Sequence, residues 1–150
     1  MEMKKIDVHS LGVSQIVSLM ELAQGIAVKP PQWEKWKGKL VQNDAWGFFD
    51  GEELVGYGLV DGRCPYLSGS VRLLELRYRW QYNREPEIAW MVRSLARAYE
   101  KTAEQMILDV NIKRELNGEL YRKLGFKPSF MRSLVGKKNT VMICEIKELI

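Results

Sequence analysis

Few side chains in this 150-residue chain suit covalent or metal chemistry. Its one histidine, His9, stands far in sequence from both cysteines, Cys64 and Cys144, so there is no metal-ligand spacing and no metal is expected. Neither thiol has a neighbour that would lower its pKa, and Cys144 sits in the apolar run Val141-Met142-Ile143-Cys144, where a thiol behaves as a small hydrophobe. His9 reads as a loop or cap residue. The ionisable groups that do form a pattern are Arg72, Arg77, Arg79 and Arg84, interleaved with Tyr78, Trp80 and Tyr82. Guanidinium groups beside aromatic rings can grip phosphates and stack bases, so nucleic-acid binding is one class of function to weigh. The alternation favours a plainer reading, a solvated strand face beside a core face.

Composition sets the outer bounds. Hydrophobic residues at 46% and charged residues at 28% are ordinary globular usage, and the length suits one domain, residues 1–150, with a single core. A net charge of +4 permits acidic partners without demanding them. No apolar run reaches the ~18 residues of a spanning helix, and Met1-Glu2-Met3-Lys4-Lys5 lacks a secretory hydrophobic region, so a cytoplasmic address and no membrane partner are expected.

The elements that must position any site follow from periodicity. Residues 5–8 read as a strand, and His9-Ser10 opens a helix with Val13, Ile16, Leu19, Met20 and Ala23 on one face, closed by Gly25. Pro30-Pro31 starts a second helix with Trp33, Trp36 and Leu40 at helical spacing, a stripe better suited to a core than to a substrate mouth. Strands at 45–49 and 54–60 flank the turn Asp50-Gly51-Glu52-Glu53, a strong hairpin signal. After a loop at 61–70, residues 71–81 read as a strand with Leu74, Leu76, Tyr78 and Trp80 on one face and Leu73, Glu75, Arg77 and Arg79 on the other. Helical periodicity begins after Pro86, with Ile88, Met91, Val92, Leu95 and Tyr99 inward, and a strand at 106–110 follows. That is a β-α-β unit, which requires parallel strands and a right-handed crossover.

The next helix carries Leu116, Leu120, Tyr121 and Leu124 at helical spacing. Gly125 stops it in the left-handed conformation, Phe126 can fold back on the last turn, and Pro128 blocks continuation. Strands at 130–135 and 140–147, joined by the turn Gly136-Lys137-Lys138-Asn139, should pair antiparallel.

The run Leu120-Tyr121-Arg122-Lys123-Leu124-Gly125-Phe126 resembles the last motif of the GNAT superfamily of acyl-CoA-dependent N-acetyltransferases, roughly N-x-x-A-x-x-L-Y-x-x-x-G-F. Leu120, Tyr121, Gly125 and Phe126 match it, while Arg114 and Asn117 stand at its Asn and Ala positions. The wording Phe49-Asp50-Gly51-Glu52 followed by Leu54-Val55-Gly56-Tyr57-Gly58 is similar to the second and third strands of that family. The resemblance covers essentially the whole chain. It implies an α+β fold: a mixed, mostly antiparallel twisted sheet of about seven strands with a central parallel pair and four helices.

The same resemblance implies a reaction, transfer of an acetyl group from acetyl-CoA to a primary amine on a small molecule or peptide. It places Tyr121 where the family often has the acid for the leaving thiolate, and Glu75, mid-strand beside the expected cleft, is the candidate base, with an ion pair to Arg77 or Arg114 as its alternative role. Residues Tyr78, Arg79 and Trp80 stand where the family supplies backbone hydrogen bonds to pantetheine and the thioester, and Asn111, Arg114 and Asn117 would flank the cofactor. The pyrophosphate loop, Q/R-x-x-G-x-G/A in the family, falls on Asn83, Arg84, Glu85, Pro86, Glu87 and Ile88, followed by Ala89, with Pro86 and Ile88 at the two glycine positions, so both glycines are missing. Pro86 removes one N–H donor and Ile88 adds bulk. Glu85 and Glu87 repel a pyrophosphate, which Arg84 could partly offset. The competing expectation is a GNAT-fold protein without catalysis that acts by binding protein, ligand or nucleic acid. A homodimer is compatible with either.

Overall fold

A computed structural model of the chain describes residues 1–24, 37–38, 40–64, 66–110 and 118–150. Seven strands, β1 (Glu2–Lys5), β2 (Asp44–Asp50), β3 (Glu53–Asp61), β4 (Ser70–Tyr78), β5 (Gln105–Val110), β6 (Lys127–Pro128) and β7 (Thr140–Glu145), form one mixed sheet in the order β1-β2-β3-β4-β5-β7-β6. The helices are α1 (Val13–Gln24), α2 (Glu85–Ala98), α3 (Gly118–Leu124) and α4 (Ile146–Leu149). This is the α+β architecture expected, with β4 and β5 as the parallel pair. Residues 37–38 and 40–42 are helical as well. Trp33 and Trp36 lie outside the described residues. Among those described, no helix is long and apolar enough to cross a membrane.

The chain divides into two compact units, Met1–Val60 with Glu75–Arg84, and Asp61–Leu74 with Glu85–Ile150. In the first, β1 and β3 pair antiparallel with β2 on either side, and Gly51 turns the hairpin at φ +63°, a conformation that favours glycine. β3 is buried along nearly its whole length, and Tyr57 on β3 and Phe48 on β2 are large, fully buried side chains of this unit. β1 occupies Glu2–Lys5 rather than residues 5–8. The cause is Asp7, whose carboxylate accepts from the His9 amide and the Ser10 hydroxyl and so draws Val8–Ser10 into a short 3-10 turn, delaying α1 to Val13. The Ser10 and His9 bonds also hold the Asp7 carboxyl below its ordinary pKa.

In the second unit β5 pairs antiparallel with β7, which pairs in turn with β6. α2 buries Ile88, Ala89, Met91, Val92, Leu95 and Ala96, the stripe its spacing dictates, each large apolar side chain contributing about 1.5–3 kcal/mol of transfer free energy. α3 ends as its sequence requires: Gly125 has φ +113°, the Phe126 amide donates to the Tyr121 carbonyl at 3.0 Å and the Gly125 amide to that of Arg122 at 3.1 Å. These two bonds make a Schellman ending, and Phe126, buried, sets its ring edge-on to Tyr121 at 5.9 Å.

Three expectations fail here for identifiable reasons. Residues 130–135 do not form a strand; the partner of β7 is the two-residue β6. The hydroxyl of Ser129 accepts from the Met131 amide, and that of Ser133 from the amides of Val135 and Gly136, so local turns take the donors that a ladder would have used. β7 stops at Glu145 because the Ile146 amide donates to Glu104 and the chain turns into α4, which buries Ile146 and Leu149. β4 ends at Tyr78, not near residue 81; a 3-10 turn at Trp80–Tyr82 follows and leaves Trp80 82% exposed rather than on a core face.

Candidate functional site

Glu75 stands on β4, half-buried, and its Oε2 accepts a 2.7 Å hydrogen bond from the hydroxyl of Tyr57 on β3. Tyr57 is fully buried, and burial first, then the bond to Glu75, pushes its phenol far above the usual range. A phenol in that state is a permanent donor, so its proton stays aimed at the carboxylate. Of the arginines expected as partners of Glu75, Arg77 and Arg114, the second lies outside the described residues; the phenol is a partner that local sequence did not reveal, eighteen positions away.

Further along β4 the backbone alternates in the direction it faces. The Arg79 amide donates to the Val55 carbonyl at 2.9 Å, and the Arg77 carbonyl crowds Gly56, so residues 77 and 79 turn their peptide groups toward β3. Leu76 and Tyr78 therefore turn theirs to the opposite edge. Arg79 has its backbone engaged within the chain: its amide bonds Val55 and its carbonyl accepts from Tyr82, and its guanidinium pairs with Glu53. The Tyr78 hydroxyl donates to Asn83 Oδ1 at 3.2 Å, which fixes the orientation of Asn83, and the Trp80 carbonyl accepts from the Asn83 amide. Tyr82 donates to Asp50. The interleaved rings and guanidinium groups of this stretch are thus largely tied to carboxylates and amides of their own unit. Arg84 is exposed.

In the second unit the parallel β4–β5 ladder covers four pairs, Ser70↔Gln105 to Leu73↔Leu108, and stops there, although β5 runs on to Val110. The first turn of α2 holds Glu85, Pro86 and Glu87, with the first two exposed. Ile88 is 2% exposed and Ala89 is buried, so the bulk of Ile88 enters the core instead of standing where a ligand would lie. That corrects one objection drawn from the missing glycines. The lost Pro86 donor and the two carboxylates remain. Lys123 of α3 brings its ammonium to 3.4 Å from both Glu85 oxygens, placing a cation beside this helix start that the sequence reading had not assigned there. Tyr121 is 5% exposed within the same short helix. Asn111, Arg114 and Asn117 lie outside the described residues.

A second polar cluster went unread in the sequence. Asp109, at the end of β5, accepts from the Tyr66 hydroxyl and, at 2.8 Å, from the Ser133 hydroxyl; the Tyr66 oxygen in turn accepts from the Leu134 amide. The guanidinium of Arg72 lies 5.5 Å from the centre of the Tyr66 ring and pairs with Asp61. Desolvation, then the bond to Asp109, raises the Tyr66 pKa. The cluster pins the loop after β3 and the segment before β7 to the tip of β5. The only signal for it was a hydroxyl-bearing residue in each loop, which is too common to select.

No family model matches the chain, and no curated protein matches its sequence. Solved structures do. The chain is similar to the aminoglycoside 6'-N-acetyltransferase from Enterococcus faecium, with a TM-score of 0.71 at 16% identity over 97% of each chain. It is similar to the ribosomal-protein-S18-alanine N-acetyltransferase from Escherichia coli, with a TM-score of 0.67 at 12% identity, covering 97% of this chain and 93% of the other. A third likeness is to the PaiA N-acetyltransferase from Thermoplasma acidophilum in complex with coenzyme A, with a TM-score of 0.61 at 17% identity over 96% and 98%. Agreement over nearly the whole of each chain, with a parallel β4–β5 pair inside a seven-stranded mixed sheet, shows that this chain has the GNAT fold of those N-acetyltransferases.

Proposed function

We propose that the protein is an acetyl-CoA-dependent N-acetyltransferase acting on a primary amine. The observation that carries this reading is the early end of the parallel ladder at Leu73 and Leu108, beyond which β4 continues with the peptide groups of Leu76 and Tyr78 turned away from β3. Strand residues past the end of a ladder can hydrogen-bond an extended amide-bearing arm as another strand would. The start of α2, with Lys123 beside it, is the segment for the pyrophosphate: unsatisfied amides and the helix dipole attract an anion there.

Acetyl-CoA supplies an activated thioester. The chain's own residues have three tasks. Glu75 takes a proton from the acceptor ammonium, so that a neutral amine is available. In this reading a backbone amide at the end of β4, that of Tyr78 in the expected alignment, donates to the oxyanion that develops on the carbonyl. Tyr121 returns a proton to the departing thiolate as the C–S bond breaks and the C–N bond forms. Aminoglycoside amines and the N-terminal alanine of a peptide are the acceptors to try first, by analogy with the structural neighbours.

The second reading, a GNAT-fold protein that binds without catalysing, is favoured by Glu85, Pro86 and Glu87 in the first turn of α2. Titration with acetyl-CoA by calorimetry and thermal shift separates the two. Ligand at a hundred times Kd stabilises a fold by about 2.7 kcal/mol. No heat and no shift at millimolar acetyl-CoA would defeat the enzyme reading. Given binding, Tyr121→Phe should lower turnover while leaving affinity nearly unchanged.

A further inference from the structure

The charge of the chain is concentrated in one stretch. Residues 127–139 hold Lys127, Arg132, Lys137 and Lys138 and no carboxylate, which matches the formal net charge of +4 of the whole chain, so the other bases and acids balance. All four cations are exposed, and among the described residues none of them pairs with a carboxylate. Phe130, Leu134 and Val135 are large apolar side chains exposed in the same stretch, Phe130 fully so. The backbone there is held in shape: the Ser133 hydroxyl accepts from the Val135 and Gly136 amides, and the Asn139 amide donates to the Gly136 carbonyl at 3.1 Å. The stretch curls around a concavity of about 450 Å³, inside the ~300–1,000 Å³ range of ligand clefts, with Met131, Leu134, Lys137 and Asn139 on its walls.

This stretch is fixed to the tip of β5. The parallel ladder stops at Leu108, and Asp109, the next residue, accepts from the Ser133 hydroxyl, while the Leu134 amide donates to the Tyr66 hydroxyl of the same cluster. Two hydroxyls occupy the Asp109 carboxylate, and the four cations face outward without it. We infer that residues 127–139 receive the acceptor, and that its amine is carried by an acidic peptide whose carboxylates lie against these cations and whose apolar side chains meet Phe130 and Leu134. The inference rests on the acetyltransferase reading above and narrows its acceptor. A polycationic aminoglycoside is repelled by such a surface, whereas a ligand of opposite sign is drawn to it. A lipid surface makes no use of a concavity, and a nucleic-acid strand stacks on successive aromatic rings, of which this stretch has one.

Acetyl transfer at saturating acetyl-CoA is compared for an alanine-initiated peptide rich in Asp and Glu, the same peptide with Asn and Gln in their place, the same with Lys, and an aminoglycoside. At low salt kcat/KM for the acidic peptide should exceed that for the neutral one at least about tenfold, and that for the two cationic acceptors by more, with the advantage shrinking at high salt. Arg132→Gln, Lys137→Gln and Lys138→Gln together should cut the preference to about threefold or less; all three side chains are exposed, and circular dichroism checks that the fold is kept. Calorimetry of the acidic peptide gives a readout apart from turnover, and its affinity should fall at least about tenfold in the triple variant. A preference for neutral or cationic acceptors, or an acidic preference that the substitutions leave intact, overturns the inference while the acetyltransferase reading stands. Acetyl-CoA that binds without transfer to any of the four acceptors overturns it as well. If acetyl-CoA does not bind, the reading and the inference fall together. If the substitutions weaken binding to phosphatidylserine vesicles, a single-stranded oligonucleotide or a second copy of this chain and leave peptide binding unchanged, the surface belongs to that partner and the inference is overturned.

Discussion

Gly125→Ala tests the helix ending that sets Tyr121 and Phe126 in place. Gly125 has φ +113°, beyond even the left-handed helical region that non-glycine residues occasionally adopt, and such strain costs about 1–3 kcal/mol. An added Cβ would also stand 3.2 Å from Cys144 Sγ, and Cys144 is buried in β7 where it cannot easily retreat, which adds roughly 1 kcal/mol. The sum is about 2–4 kcal/mol, a large share of the ~5–15 kcal/mol that holds a domain folded. Urea unfolding followed by tryptophan fluorescence and far-UV circular dichroism measures it, with the m-value as a check that the transition is unchanged. In thermal unfolding the loss should appear as a fall of about 4–16 °C. Repeating the substitution in a Cys144→Ala background removes the sulfur and should recover only the steric part. A loss below about 0.5 kcal/mol in the parent background would refute the claim that the positive φ makes glycine necessary here.

Other consequences can be measured separately. Glu85→Gln removes a carboxylate from the first turn of α2 and frees Lys123, so affinity for acetyl-CoA should tighten about two- to fivefold at low salt and the gain should fade at high salt; calorimetry that shows weaker binding would mean the Glu85–Lys123 pair builds the site instead of opposing it. Ser133→Ala removes the donor to Asp109 and the acceptor for two amides, and is expected to cost about 1–3 kcal/mol, with faster hydrogen exchange at Val135 and Gly136. Burial pushes the Cys144 thiol up to about 11 from 9.0, with Glu148 and Glu145 adding to the effect. Since the folded state holds that proton longer than the unfolded one, this contribution is complete below about pH 9 and is lost as pH rises toward 11. Cys144→Ala should flatten that part of the alkaline stability curve, and an unchanged slope would argue against a desolvated thiol.

What could be read before any coordinates was whatever depends on neighbours close along the chain. The Asp50-Gly51 hairpin, the inward stripe of α2, the Gly125 ending with Phe126 folded back, and the β-α-β unit that makes β4 and β5 parallel all rest on spacing within a few residues or on the sterics of one crossover. Local rules failed where hydroxyl or carboxylate side chains compete for backbone amides. Asp7 shortened the opening strand's reach and Ser133 replaced a strand with turns, since such bonds cost little chain entropy to close.

The candidate site divides in the same way. A motif and its spacing nominate Tyr121 and the residues opening α2, but they do not reveal the partners that give side chains their chemistry. Tyr57 meets Glu75 across 18 positions, Lys123 meets Glu85 across 38, and Tyr66 meets Asp109 across 43. Periodicity specifies which face a side chain takes, yet it carries no information about which polar group another strand or loop brings to that face. Only the folded sheet, by setting β3 against β4 and the loops against the tip of β5, decided that a buried phenol would hold one carboxylate and a second phenol another.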